Sequence, residues 1–439
     1  MSKHKSRALD EEAHEEEAAE IEEQISSPGR WSQGLVLLLG TLGLQRLATF
    51  APEWIERFYS RAFYPSISRV VSAVNIPFTF SLAEITLVTL VVIVGLWLLW
   101  LFLKVLNGLL SPLRLIVYLL HRAMWIGGAV MLLFLLLWGF NYQRLPLATN
   151  LNLHGRETRP GELESICGLM ISRLNASYEA ARVKQDLSEE KAQPLNRQQM
   201  LDALEKSYQG MDYLIGSAAS RNGYGPPKAL KLSSLLTSFG ISGIYSPFTG
   251  EANYNDNAPA CDLPFVIAHE KAHQRGFARE DEANFIGFLA CINAPEPYVR
   301  YSGYLLAMPR VMSVLRTTNE TEYNALLARL GQGAMKDLQT RAAFWHARED
   351  RVLSAVARQA NNTYLRANRV RSGIANYDEV TALVINYFLT YPNGGRERLL
   401  VADDKAVPAN TPASTPRPVA PTPKPTPVST QAERNGFIP

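Results

Sequence analysis

Residues 85–103 read ITLVTLVVIVGLWLLWLFL, an uncharged apolar run of the length that crosses a bilayer as one helix. Residues 123–140, AMWIGGAVMLLFLLLWGF, form a second run of the same kind. Two such runs restrict the chain to a membrane architecture, with the lipid bilayer as a partner. An earlier stretch, residues 34–51, is apolar but contains Gln45 and Arg46. It is expected to be a third span ending near Arg46, with an interfacial helix as the alternative. The acidic run within residues 1–32 lies too far ahead of the first apolar stretch for a secretory signal, and is expected to be a disordered cytoplasmic segment. The formal net charge of +3 is close to balance, which argues against a nucleic-acid partner.

Basic residues set the expected orientation. The connection between the two strong runs carries Lys104, Arg114, His121 and Arg122 and no acidic residue, so it should stay in the cytoplasm. The chain beyond Phe140 then faces the outside, and the chain starts inside if residues 34–51 cross; Arg30 agrees with this. Residues 52–81 become a short outer segment, whose Trp54, Phe58, Tyr59, Phe63 and Tyr64 suit the headgroup level. The expected localisation is a multi-pass protein of a bacterial cytoplasmic membrane, with its large domain extracytoplasmic.

Residues 141–402 have ordinary globular composition and are long enough for a core of their own. Apolar spacing predicts helices over 160–182, 196–208, 280–291, 321–330, 335–359 and 377–389. Residues 230–235 and 243–255 carry the Gly, Pro, Ser and Thr of short strands and turns. From 403 to 439 the chain is rich in Pro and Thr and is expected to be a disordered tail. There is no internal repeat. Cys167, Cys261 and Cys291 are an odd set; buried free thiols are the expectation, with a Cys261–Cys291 bridge as the alternative.

The chemistry-bearing motif is His269-Glu270-Lys271-Ala272-His273, an HExxH pentapeptide that comes directly after an apolar run at 263–268. On a helix the two His side chains share one face and can reach one metal ion, while Glu270 reaches a water held there. That is the donor set of a zinc hydrolase. Gly276 stands where the helix could stop and the chain turn back with a third ligand. Glu280, Asp281 and Glu282 are the candidates. Glu280 is favoured, because Asn284 then falls one turn on along the same face, where it could hydrogen-bond a liganding imidazole; Glu282 is the alternative.

The block HEKAHQRGFAREDEANFIGFLACINAPEPYVRYSGYL, the stretch 244–253 before it, and the preceding apolar runs resemble a bacterial membrane-protein family known only as a domain of unknown function. That family is regarded as a zinc-metallopeptidase relative of the gluzincin type, and the resemblance runs from about residue 35 to about 391. It implies a mainly α fold: N-terminal transmembrane helices, then a helical α+β metallopeptidase-like domain with a small sheet. The expected function is peptide-bond hydrolysis by a membrane-anchored zinc metallopeptidase, with His269, His273 and Glu280 on the metal and Glu270 as general base. Tyr298, Arg300, Tyr301 and Tyr304 are candidates to stabilise an oxyanion, Arg300 and Tyr304 foremost. The extended stretch with Phe248, Thr249, Gly250, Glu251 and Asn253 is the candidate edge on which a peptide or protein substrate lies. The alternatives are a zinc-stabilised sensor or scaffold without catalysis, or an amidase acting on cell-wall peptide.

Overall fold

The computed structural model describes residues 28–153, 158–159, 161–185, 196–368 and 377–391. The acidic run before residue 28 and the Pro-rich tail lie outside the described residues. The described residues are mostly helical with one three-stranded sheet, and the chain divides into two units. One is Met1–Leu145 with Ser246–Glu251, the other Pro146–Tyr245 with Ala252–Pro439.

The first unit holds α1 (Pro28–Ala48), α2 (Tyr64–Asn75), α3 (Leu82–Leu106) and α4 (Pro112–Leu137). By length and composition α3 and α4 are able to cross a membrane. Large apolar side chains such as Leu90, Val91, Leu96, Phe102 and Leu133 stand exposed along them, as contact with lipid requires. The helix of α1 does not continue to residue 51. It breaks before Pro52, because a residue preceding proline disfavours the helical region, and the chain turns by 91° into a helical run over 52–75. This bent pair makes the third span only if it counts as one.

The helical run over 52–75 buries a mixed face that includes several polar side chains. Glu56, Ser60, Ser68, Ser72 and Asn75 are buried, while Trp54, Phe58, Phe63, Val70 and Val74 are exposed. Of the aromatics expected at the headgroup level, Tyr59 and Tyr64 are instead buried, and Tyr59 Oη donates to the Leu136 carbonyl at 2.9 Å. Glu56 sits between Arg144 (2.8 Å) and Arg61 (2.6 Å), which neutralises a carboxylate that would otherwise be costly there. Glu251 accepts from the Leu82 and Ala83 amides at 3.0 and 2.6 Å, and so caps α3 with a negative charge.

A second difference from expectation concerns the basic connection. α4 begins at Pro112, with Ser111 accepting from the Arg114 amide, so Arg114, His121 and Arg122 belong to its first turns rather than to a loop. A helix of 26 residues is about 39 Å long, more than the roughly 30 Å hydrocarbon core. Its basic end therefore has length to spare beyond the apolar part.

The second unit contains α5 (Glu162–Gln185), α6 (Arg197–Gln209), α7 (Leu263–Gln274), α8 (Glu280–Ile292), α9 (Pro297–Thr318), α10 (Glu320–Leu327), α11 (Gln332–Arg348), α12 (Arg351–Ala367) and α13 (Tyr377–Thr390), with short helical turns between. The single helix expected over 335–359 is two. Asp350 divides them, its carboxylate capping the Val352 and Leu353 amides at 2.9 Å. α7 and α8 lie at the centre, with α9 against both and α5 and α13 outside. Phe265, Val266, Phe285, Phe288, Leu289, Val299 and Leu305 are among the fully buried side chains of this core.

The sheet has the order β1–β3–β2, where β1 is Lys228–Leu230, β2 Gly243–Ser246 and β3 Glu251–Asn255. β1 runs parallel to β3, with Lys228 opposite Asn253 and Leu230 opposite Asn255. β3 is buried along its whole length and paired on both sides. The stretch expected to offer an edge to substrate, with Glu251 and Asn253, is thus the middle strand, and β1 and β2 hold the outer positions. Of residues 230–235, expected to hold short strands and turns, only Leu230 is in a strand, as the last residue of β1. The rest leave β1 and enter a helical turn, Ser233–Ser238, tied by Ser233 Oγ to the Leu230 carbonyl at 2.6 Å.

Candidate metal centre

The HExxH pentapeptide occupies the last two turns of α7. Pro264 suits the first turn, where its missing amide hydrogen is no loss. The hydroxyl of Ser302 on α9 accepts from the Phe265 amide (3.2 Å) and donates to the Cys261 carbonyl (2.6 Å), fixing the start of the helix. The end is a Schellman turn: the Phe277 amide bonds the Ala272 carbonyl (3.1 Å), the Gly276 amide bonds that of His273 (2.9 Å), and Gly276 has φ +90°. This turn brings α8 back so that its first residue, Glu280, faces the two imidazoles.

His269, His273 and Glu280 form a cluster of potential ligand atoms within 4.8 Å of one another. The two Nε2 atoms are 3.0 Å apart, and Glu280 Oε2 lies 3.3 Å from His269 Nε2 and 3.7 Å from His273 Nε2. Tetrahedral donors at the usual 2.0–2.1 Å from zinc stand about 3.3 Å from each other, so the spacing fits such an ion. His273 Nδ1 donates to the Phe277 carbonyl at 2.7 Å, which leaves the lone pair on Nε2, inside the cluster. His269 Nδ1 and both polar atoms of the Asn284 side chain are buried without a hydrogen-bond partner of normal geometry, and so is Glu280 Oε2. The Asn284 amide nonetheless lies close enough to support protonation of His269.

The electrostatics agree with a donor cluster. Burial holds His269 below the usual histidine range, although Glu280 opposes it. Burial also works against protonation of His273, but Glu280 and then Glu270 carry its basicity above the ordinary value. Burial alone would raise the Glu280 carboxyl; the imidazoles hold it well below the carboxylate range. Glu270 is different: burial pushes its carboxyl up to about 8 against the pull of His273, and its Oε2 has no hydrogen-bond partner.

Glu270 lies against β2. A Cβ placed on Gly243 would come within 2.8 Å of Glu270 Cγ and 2.9 Å of its Cδ, so only glycine leaves room for the carboxylate. Tyr245, two residues on, has its ring 6.5 Å from that of His273 at an interplanar angle of 27°. Neither residue stands out in the sequence, where a Gly-Ile-Tyr reads as ordinary strand. A close approach is also made by α8, whose Gly287 would bring a Cβ to 3.1 Å from the His269 amide nitrogen.

Other sequence candidates are engaged elsewhere. Glu282 accepts from the Leu147 amide (2.7 Å) and Arg279 (3.1 Å). Arg300 donates to the carbonyls of Ala294 and Pro295, both 2.8 Å. Tyr301 donates to Asp337 (2.6 Å), Tyr298 packs against Tyr301, and Tyr304 lies edge-on to Phe288 in the core. Phe248 is exposed, and the Thr249 and Gly250 carbonyls accept from Asn75 (2.8 Å) and Ser72 (3.1 Å) in the first unit. The three cysteines are free thiols.

One family profile, described as "Protein of unknown function (DUF3810)", matches residues 59–385. No curated protein and no solved structure matches the chain.

Proposed function

The chain belongs to the family described as Protein of unknown function (DUF3810), and we propose that it is a membrane-anchored, zinc-dependent hydrolase of peptide bonds. The observation that carries this reading is the joint placement of three ligand atoms at tetrahedral spacing and, beside them, a buried Glu270 carboxyl whose Oε2 has no hydrogen-bond partner. A zinc that only stabilised the fold would have no use for that carboxyl.

Zinc, held by His269, His273 and Glu280, would supply a Lewis acid that acidifies water and polarises a carbonyl. Glu270 takes the proton released as water adds to the peptide carbonyl, and returns it to the leaving nitrogen when the C–N bond breaks. Gly243 keeps that carboxylate in its position, and the Phe277 carbonyl keeps His273 turned with Nε2 inward.

The metal test separates the two glutamates of α8. In the full-length protein purified in detergent, Glu280→Ala is expected to abolish stoichiometric zinc, measured by mass spectrometry of the metal. Glu282→Ala is expected to keep zinc and lose thermal stability, since the buried Leu147 amide loses its acceptor. Zinc retained by Glu280→Ala and lost by Glu282→Ala would move the ligand by two residues and end this assignment.

We further place the catalytic unit outside the cytoplasm, because the basic residues Lys104, Arg114 and Arg122 flank the short turn between α3 and α4. Val183, exposed on α5, gives a reporter. In intact spheroplasts Val183→Cys should gain labelling by a membrane-impermeant maleimide over the unsubstituted protein, and Asn107→Cys only after lysis. The opposite pattern would put the unit in the cytoplasm.

A further inference from the structure

Gly243 and Tyr245 stand two residues apart on β2 and therefore share one face of the strand, while Ile244 between them points to the other. The observed contacts obey that alternation: Gly243 abuts the Glu270 carboxylate, Tyr245 lies beside the His273 ring, and Ile244 is exposed. One strand face thus meets both the candidate base and a candidate ligand. Tyr245 itself is half-buried, the exposure of a side chain that meets a ligand and solvent together.

Addition of water to a peptide carbonyl places negative charge on the carbonyl oxygen, and a hydrolase of this class needs a hydrogen-bond donor there besides the metal. The aromatic and basic residues after α8 do not supply it. The Tyr301 hydroxyl is committed to Asp337, Arg300 to two backbone carbonyls, and Tyr304 is in the core with Phe288. We infer that Tyr245 is the catalytic residue that donates its phenolic O–H to the developing oxyanion, without giving up the proton. The inference rests on the zinc-hydrolase reading and adds to it a residue upstream of the motif, from the strand rather than from the helices.

The test uses cobalt(II) in place of zinc in the full-length protein in detergent, with acetohydroxamate as the probe. The hydroxamate puts an anionic oxygen beside the metal, and its binding is read from the visible absorption of cobalt, independently of any substrate. Tyr245→Phe should bind cobalt in the same stoichiometry as the wild type and bind acetohydroxamate about 10–100-fold more weakly, the loss for a hydrogen bond to a charged oxygen. Tyr304→Phe should bind both as the wild type does.

Equal hydroxamate affinity in Tyr245→Phe would overturn the inference and leave the metal site standing. The same holds if the weakening appears in Tyr304→Phe instead. Loss of cobalt from Tyr245→Phe would make Tyr245 a prop for His273, not a donor, and would also overturn it. A cobalt-loaded wild type that takes up no hydroxamate would lack the open position a donor serves, and the inference would fall with it. Failure of the wild type to bind cobalt at all would instead remove the zinc-hydrolase reading on which the inference stands.

Discussion

Glu270→Gln is expected to leave about one zinc bound per chain and to lower hydrolysis of a quenched-fluorescent peptide library by about 10²–10⁴-fold, the usual contribution of a general base. His269→Ala and His273→Ala are expected to remove the metal itself. The two effects separate because the ligand atoms and the base occupy different places. The Nε2 atoms and Glu280 Oε2 crowd within 4.8 Å, whereas the Glu270 carboxyl rests against Gly243 with one oxygen unpartnered. Glutamine has the same shape, so it fits beside Gly243 and disturbs no ligand, but it cannot take a proton. Gly243→Ala approaches the same end from the other side. Its methyl group must push the carboxylate away, so hydrolysis should fall with zinc content unchanged. If Glu270→Gln lost zinc as fully as the histidine variants, Glu270 would be a ligand or a structural group, and its assignment as base would be wrong.

How much of this site was legible in the sequence depends on how local each part is. His269, Glu270 and His273 follow from helical spacing alone, and Glu280 follows from Gly276, because a helix stop at a known place fixes where the next helix begins. Gly243 and Tyr245 were not legible, since nothing local tells which strand face will meet a helix twenty residues later. The sheet order has the same origin: the stretch 251–255 reads as a strand, but its place between β1 and β2 is set by a pairing with residues 228–230. In the first unit the two long apolar runs announced α3 and α4. The bend at Pro52 was visible as a proline, but the burial of Glu56, Ser60, Ser68, Ser72 and Asn75 was not, because partners such as Arg144 and Gly250 lie far along the chain. Lys271, in α7, and Arg275, just after it, are buried as well, and their partner Glu205 lies too far along the chain for any local pattern to give.

Glu205→Gln is expected to lower stability at neutral pH by about 3–5 kcal/mol, the cost of leaving buried charges without their partner. Glu205 on α6 is ion-paired with Lys271 and bonds Arg275 at 2.7 Å, and the Arg275 guanidinium lies between the rings of Tyr208 (4.0 Å) and Tyr224 (4.5 Å). Two buried cations therefore depend on one carboxylate. The Tyr208 hydroxyl donates to the Ala268 carbonyl (2.6 Å), so the same cluster also supports the helix turn that carries His269. Burial would raise the Glu205 carboxyl, but Arg275 and Lys271 overcome it and hold it at about 2, below the ordinary 4.5. A carboxyl depressed by folding stabilises the protein fully above the unfolded value and loses that contribution as pH falls through the folded one. The window is thus about pH 4.5 down to 2. Thermal unfolding of wild type and Glu205→Gln in detergent should show a large gap in Tm at pH 7, a gap that narrows as the wild-type carboxyl is protonated and comes to resemble the amide. A gap that is absent at pH 7, or equal at pH 7 and pH 2.5, would show that the carboxylate charge is not what holds α6 to α7.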